Sequence, residues 1–228
     1  MDFCSKSIKL YYTIKFNLSR NTEFEMQISF FADNCIKSLE MAATYCEYVD
    51  NKGKNTVHQH YHDKEYGFPL INDDQLFGRL VLEINQAGLS WETILKKKEH
   101  FFKVFDGFRI EKVARYSEAK KAKLLNDPGI IRNRLKVEAA IYNAGQILII
   151  QKEYGSFLNW LDHHHPLTRE EWVKLFKTRF RFTGGEIVNE FLMSTGYLPG
   201  AHVETCLIYK KVLKCKPRWA TKKGNGKG

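Results

Sequence analysis

Two sets of residues in this 228-residue chain have the types and spacing to do chemistry. The first is His202-Val-Glu-Thr-Cys206. An imidazole and a thiol at i and i+4 share one face of a helix, and together supply two of the four converging N or S ligands that a structural zinc needs. Cys46 and one of His58, His60 and His62 are the candidates for the other two, so the site would clip the start of a domain to its end. A buried cysteine beside a hydrogen-bonded histidine is the blander account of the same pair. The second set is Tyr61-His62-Asp63-Lys64-Glu65-Tyr66-Gly67, followed by Glu83 and by Gln86-Ala87-Gly88-Leu89-Ser90-Trp91. Glu83 falls among Leu80, Val81 and Ile84 on an otherwise apolar helix. A carboxylate there is either a solvated edge position or a buried charge that must have a partner. A cationic ligand would be such a partner, and Trp91 and the tyrosines could wall a flat, electron-poor ring by stacking and cation–π contact. Core aromatics around an edge glutamate are the alternative.

Positioning these groups falls to helices. Asn72 is an N-cap, with Gln75 three residues on, ahead of Leu76, Phe77, Leu80, Val81 and Ile84 at helical spacing. Gly88 stops that helix, and Ser90 caps the next, which carries Ile94, Leu95, Phe101 and Phe102. Further helices are predicted over Ser117–Leu125, after Gly129 through Val137, Ile141 and Ile147, and after a Thr168/Glu171 capping box. Gly184–Gly185 precede a helix through Ile187, Phe191 and Leu192, and Pro199–Gly200 lead into a last helix holding His202 and Cys206. Strand signals are scarce after residue 45, which predicts an all-α domain with short connections. Residues 1–43 differ: Ser7–Phe16 and Glu23–Phe31 alternate partially and would make at most a marginal β-hairpin. They are expected to lie outside the functional domain, and Met41 could itself be a start.

A formal charge of +10 suggests a polyanionic partner, but its placement weakens the inference. Residues 1–45 hold five basic and five acidic side chains, and Lys210–Gly228 holds eight Lys/Arg and no acid, leaving +2 for residues 46–209. Residues 212–228 therefore read as a basic, flexible tail. No apolar run is long enough to cross a bilayer and no signal-peptide layout opens the chain, so the expectation is a cytoplasmic protein without a membrane partner. Five cysteines without framework spacing fit a reducing compartment.

Tyr-His-Asp-x-Glu-aromatic-Gly, then Glu-x-x-Gln-Ala-Gly-Leu-Ser-Trp, closely resembles the DNA-3-methyladenine glycosylase I family of the helix-hairpin-helix superfamily. Gly129-Ile-Ile-Arg-Asn-Arg-Leu-Lys136 and the terminal His-x-x-x-Cys add to the match, which runs in order from Thr44 to Lys211. The resemblance implies a helix-hairpin-helix glycosylase domain over 44–211. Its function would be to flip 3-methyladenine out of alkylated double-stranded DNA and release it by hydrolysis, as a monomer in base excision repair. It further implies one structural Zn2+ on Cys46, His62, His202 and Cys206, a base-binding Glu83, and pocket aromatics Tyr61 and Trp91. Tyr48 and Tyr66 stand where the family usually has Trp. Gly88 and Leu89 correspond to the edge entering the gap left by the extruded nucleotide. Thr183, Gly184 and Gly185 belong to the DNA-anchoring hairpin, Phe180-Arg-Phe-Thr-Gly-Gly.

Four departures accompany the match: those two tyrosines, Glu186 after the hairpin glycines, Asn189 in place of an aromatic, and about three extra residues between Cys46 and His62. The catalytic Asp of other superfamily members would fall near His202–Glu204, where there is none; Glu204 is the one carboxylate there and is expected to face solvent. No lysine is placed for Schiff-base chemistry, which implies a monofunctional enzyme. Arg132, Arg134 and Lys96–Lys98 read as solvated helix charges, and His163–His165 as an exposed loop.

Overall fold

The computed structural model describes residues 44–221; the hairpin expected over Ser7–Phe16 and Glu23–Phe31, and residues 222–228 of the tail, lie outside the described residues. All that follows belongs to the compact unit that begins at Tyr45. Among the described residues there are α-helices and short 3-10 turns and no strands, and no helix is long and apolar enough to cross a membrane.

The centre of the fold is α3. Calling Tyr45–Lys52 α1 and Val57–Lys64 α2, α3 spans Asp73–Gln86 and α4 Trp91–Val104. Asn72 caps α3, its side chain accepting from the backbone N–H groups of Asp74 and Gln75. From Leu76 to Asn85 every residue is buried. A helix covered on all sides must be packed around its whole circumference. The cover comes from α4, from a turn at Asp106–Phe108, and from α5 (Ile110–Val113), α7 (Arg134–Tyr154), α8 (Phe157–His164) and α10 (Gly185–Ser194), with α6 (Glu118–Leu125) and α9 (Arg169–Arg179) packed outside. The first turn of α3 also fixes two neighbours. Asp73 accepts from the N–H groups of Phe157 and Leu158 at the start of α8, and Asp74 from that of Ile110 at the start of α5. Carboxylates at those N-termini satisfy donors that no helix satisfies internally.

Much of the expected helix pattern is present. Ser90 caps α4, Ser117 caps α6, and Thr168 and Glu171 form a reciprocal capping box on α9. Three expectations require correction. Residues 201–206 form turns, and the last helix, α11 (Leu207–Lys214), begins only after Cys206, which caps it. His163 and His164 are the last turn of α8, held by ring contacts to Tyr154, rather than a loop. The basic tail does not begin at 212: α11 runs on to Lys214 with Val212 buried, and Arg218 folds back to make a two-pronged ion pair with Asp162 of α8. Composition alone treated those lysines as solvated tail, because a single apolar anchor and one distant carboxylate leave no local pattern.

Asp106, Gly107 and Phe108 have φ of 54°, 72° and 57°, a left-handed turn that drives the Phe108 ring onto α3 at Gly78. A Cβ at Gly78 would sit 2.7 Å from that ring, whereas one at Gly145 of α7 would meet nothing within 4 Å. Gly78→Ala is therefore expected to lower unfolding free energy by about 1–3 kcal/mol through overpacking. Gly145→Ala should raise it by about 0.5–1 kcal/mol through helix propensity. Urea denaturation of the two variants checks the opposite signs.

Candidate functional site

Glu83 lies in the last turn of α3 at 4% exposure, so the solvated-edge alternative is excluded. Burial pushes its carboxyl up to about 8; Arg79 one turn earlier pulls it down, the Glu190 charge adds to the rise, and Ser194 opposes it. Arg79 is itself 6% exposed. It donates to the Tyr61 hydroxyl at 2.7 Å and to Glu65 at 3.3 Å, with its guanidinium 4.9 Å from the centre of the Tyr61 ring. Glu65 in turn pairs with Lys98 of α4, so Lys98 is part of this network and not a purely solvated charge. The Arg79 charge is thus divided among Tyr61, Glu65 and Glu83.

Beside Glu83 stands an aromatic wall. Tyr61 on α2 meets the Trp91 ring at 5.1 Å and 66°, and Tyr66 at 5.5 Å. Tyr61 and Tyr66 are buried with Leu95 and Ala201, and Trp91, at the start of α4, is half-buried against them. Tyr66 donates its hydroxyl to Glu190 of α10 at 3.1 Å. Tyr48 is placed differently: it is 37% exposed, and its ring packs on Tyr45 and His58, with Lys52 above it. The aromatic of α1 that reaches the wall is Tyr45, at 5.2 Å from Tyr66 and 6.2 Å from Tyr61. Sequence reasoning missed Tyr45 because α1 carries no cap signal and its two tyrosines are equivalent without knowledge of which side faces α2.

Next to the wall, Cys46, His62, His202 and Cys206 bring their four donor atoms within 4.8 Å of one another. The His202 Nδ1–His62 Nε2 separation is 3.2 Å, and the sulfur–nitrogen separations run from 3.6 to 3.8 Å. Those four separations are close to the edges of a tetrahedron around a metal bound at ordinary N and S distances, roughly 3.3–3.8 Å, and the other two lie within 4.8 Å. The outer nitrogens of both rings are already engaged: His62 Nδ1 lies 2.7 Å from an Asp63 carboxylate oxygen and His202 Nε2 lies 2.8 Å from the Tyr66 carbonyl. That fixes the tautomers so that the inner nitrogens carry lone pairs. Burial pushes the Cys46 thiol up to about 11, a penalty a central cation would relieve. The four residues can hold a metal ion. They meet although His202 and Cys206 share no helix, because the turns after Gly200 (φ 116°) aim both inward.

Gly88 and Leu89 form the exposed loop between α3 and α4, with Gly88 at φ 80° and Leu89 39% exposed. A buried lysine of α7, Lys136, fastens the base of this loop by donating to the carbonyls of Asn85 and Ala87 at 2.9 and 2.7 Å. Its place at the end of Gly129–Lys136 was the signal, but no sequence feature showed that its ammonium would cap a helix C-terminus. Thr183 and Gly184 lie between α9 and α10, and Gly185 is the first residue of α10. Thr183 is buried, donating to the Phe180 carbonyl, while Gly184 is exposed and caps α10 with no side-chain acceptor. Asn143 of α7 clamps this turn through both backbone groups of Arg181. Glu186 of the first turn pairs with Arg169. Glu204, Arg132 and Arg134 are exposed, as expected.

Residues 51–173 match a family model described as methyladenine glycosylase. The chain is 32% identical over 182 residues to the DNA-3-methyladenine glycosylase of Haemophilus influenzae, covering 72% of this chain and 96% of that protein. It is 33% identical to DNA-3-methyladenine glycosylase 1 of Escherichia coli, covering 65% and 89%. Among solved structures it resembles the Staphylococcus aureus 3-methyladenine DNA glycosylase I (TM-score 0.61, 32% identity, 68% of this chain and 93% of that one). A tyrosine-to-phenylalanine variant of a 3-methyladenine DNA glycosylase I in complex with 3-methyladenine is equally similar, at TM-score 0.61 and 32% identity over 69% and 94%.

Replacing Lys136 with Met removes a charged donor from two buried carbonyls, and is expected to cost about 1.5–3 kcal/mol. The loop 87–90 should become the first site cut in limited proteolysis of Lys136→Met, with the wild type resistant there.

Proposed function

The chain belongs to the methyladenine glycosylase family, and we propose that it is a monofunctional DNA glycosylase that extrudes 3-methyladenine from alkylated DNA and hydrolyses its bond to the sugar. The observation that carries this reading is Glu83, a carboxyl 4% exposed within the fully buried Leu76–Asn85 stretch of α3, beside three aromatic rings. Methylation at N3 leaves the base in DNA formally cationic. Such a base supplies the charge this pocket lacks, and a neutral adenine leaves the carboxylate uncompensated. The cation is also a good leaving group. The glycosidic bond breaks with its electron pair going to the base, which departs neutral, and water adds to C1′ and loses a proton. Glu83 holds the base by charge-assisted hydrogen bonding, while Tyr61, Tyr66 and Trp91 wall its ring; Tyr45 backs that wall, and Tyr48 lies at its outer edge.

In this reading Gly88 and the exposed Leu89 fill the gap left in the stack, on a loop that Lys136 keeps in shape. Thr183, Gly184 and Gly185 form the hairpin of a helix-hairpin-helix element, and the uncapped start of α10 receives a backbone phosphate of duplex DNA without reading sequence. The Glu186–Arg169 pair occupies the same end of α10 and competes with that phosphate. The metal is zinc, one per chain, with Cys46, His62, His202 and Cys206 closing all four positions. It would tie α1 and α2 to the turn before α11, giving folding energy and leaving no open position for chemistry. The enzyme is read as acting as a monomer in the cytoplasm.

Freshly purified protein is expected to carry close to one equivalent of zinc by elemental analysis; less than about half an equivalent contradicts the assignment. Glu83→Gln keeps size and an acceptor while removing the charge. It should retain fold and undamaged-DNA binding yet release 3-methyladenine about 30- to 1,000-fold more slowly in single turnover, the equivalent of about 2–4 kcal/mol. Because the folded carboxyl is raised to about 8, kcat/KM should climb with pH through a limb near 8, where Glu83 ionises in the free enzyme. Stability should run the opposite way, highest below the unfolded carboxyl value and declining as pH rises through 8. Equal rates for wild type and Glu83→Gln would remove this carboxylate from the chemistry.

A further inference from the structure

We infer that Glu190 is a second carboxylate of the base pocket, reaching in from α10 opposite Glu83, and that the two together select a base carrying positive charge. This deepens the glycosylase reading above and rests on it. Glu190 is half-buried, and Tyr66, a wall of the pocket at 6% exposure, aims it by donating to its Oε2 at 3.1 Å. Ser194, one turn further along α10 and fully buried, lies on the same face as Glu190 and acts on Glu83. One face of α10 therefore points two polar groups at the buried end of α3, and α10 packs directly on α3.

The charges around the pair do not balance. Facing Glu83 are Arg79 on its own helix, Tyr45 of α1, Tyr61 of α2, Tyr66 after it, and Glu190 from α10. From α4, Lys98 is taken up by Glu65, and from α7, Lys136 by the Asn85 and Ala87 carbonyls. Facing Glu190 are Tyr66, Glu186 and Arg169, and Arg169 is paired with Glu186. Arg79, shared with Glu65 and bonded to Tyr61, is thus the one cation of this set acting on Glu83, and Arg169, already paired with Glu186, the one acting on Glu190. Burial raises both carboxyls, and the charge of Glu190 raises Glu83 further. Like charges sharing one poorly hydrated site repel unless a cation enters between them. A cationic N-alkylpurine against the aromatic wall is such an entrant, and a neutral purine is not. Glu190 was invisible in the sequence because it follows the hairpin in an amphipathic helix, where a solvent-facing glutamate is ordinary.

The test is single-turnover release of 3-methyladenine from a methylated duplex between pH 6 and 9, using the full chain as wild type, Glu83→Gln and Glu190→Gln. Glu190→Gln is expected to lower kcat/KM at least about tenfold on the high-pH plateau, since a charge meeting the cation in the transition state is lost. It should also move the ascending limb about one pH unit lower, because Glu83 then ionises without a neighbouring negative charge. A role confined to packing does not move the limb. Glu190→Asp keeps the charge and should leave the limb in place while reducing the rate. Should Glu190→Gln fail to fold, Glu190→Ser removes the same charge from a smaller side chain and carries the same two readouts. Wild-type rate and limb in Glu190→Gln, with Glu83→Gln inactive, overturn the inference and leave the glycosylase reading standing. Full activity in Glu83→Gln overturns that reading itself.

Discussion

An ionisable carboxyl buried in a stretch of helix that is covered on every side is the constraint around which the rest of this structure is arranged. Removing a carboxylate from water costs several kcal/mol unless something compensates it. The fold compensates Glu83 only in part, since Arg79 is shared with Tyr61 and Glu65. A stability optimum would place a leucine at position 83 or a second cation beside it. Retaining a half-compensated carboxylate, with aromatic rings on one side and Glu190 on another, is the arrangement expected of a site that completes itself with a ligand.

The aromatic wall and the four-donor cluster are one construction. Tyr61 and His62 are neighbours on α2: the first stands in the wall and the second lies in the cluster. Tyr66 joins them again, its ring in the wall and its carbonyl holding His202. A metal that fixes α2 against the turn at 201–206 therefore also fixes the height of the wall above Glu83. The polar surfaces assigned to DNA are anchored by α7 at two points, Lys136 under the Gly88–Leu89 loop and Asn143 under the turn before Gly184. Loop and turn are thereby held at a fixed separation by a 21-residue helix.

Periodicity and capping chemistry made most of the helices legible, because an N-cap side chain and an apolar stripe are local signals. Asn72, Ser90, Ser117 and Thr168 all cap the helices expected of them. The helices α1 and α2 were not legible. They are short, polar along much of their length and stable only through what they pack against. The turns at 201–206 were misread as helix for a related reason: a His and a Cys four apart fit a helical face equally well, and only convergence on Cys46 and His62 decides between the two.

The sequence by itself determined which residues are candidates for the chemistry: the ordered motifs, the lone glutamate among apolar neighbours, and His202 and Cys206 with Cys46 and one of His58, His60 and His62. Those follow from residue type and spacing, which exist before folding. The tertiary structure alone decided that Glu83 is buried rather than at an edge, that Tyr45 and not Tyr48 meets Tyr61, that Lys136 caps α3, that Glu190 accepts from Tyr66, and that Arg218 closes the C-terminal end on Asp162. Each of these joins residues from separate elements, some more than a hundred positions apart. Burial and charge coupling belong to the packed arrangement of several helices, and no window along the chain contains them.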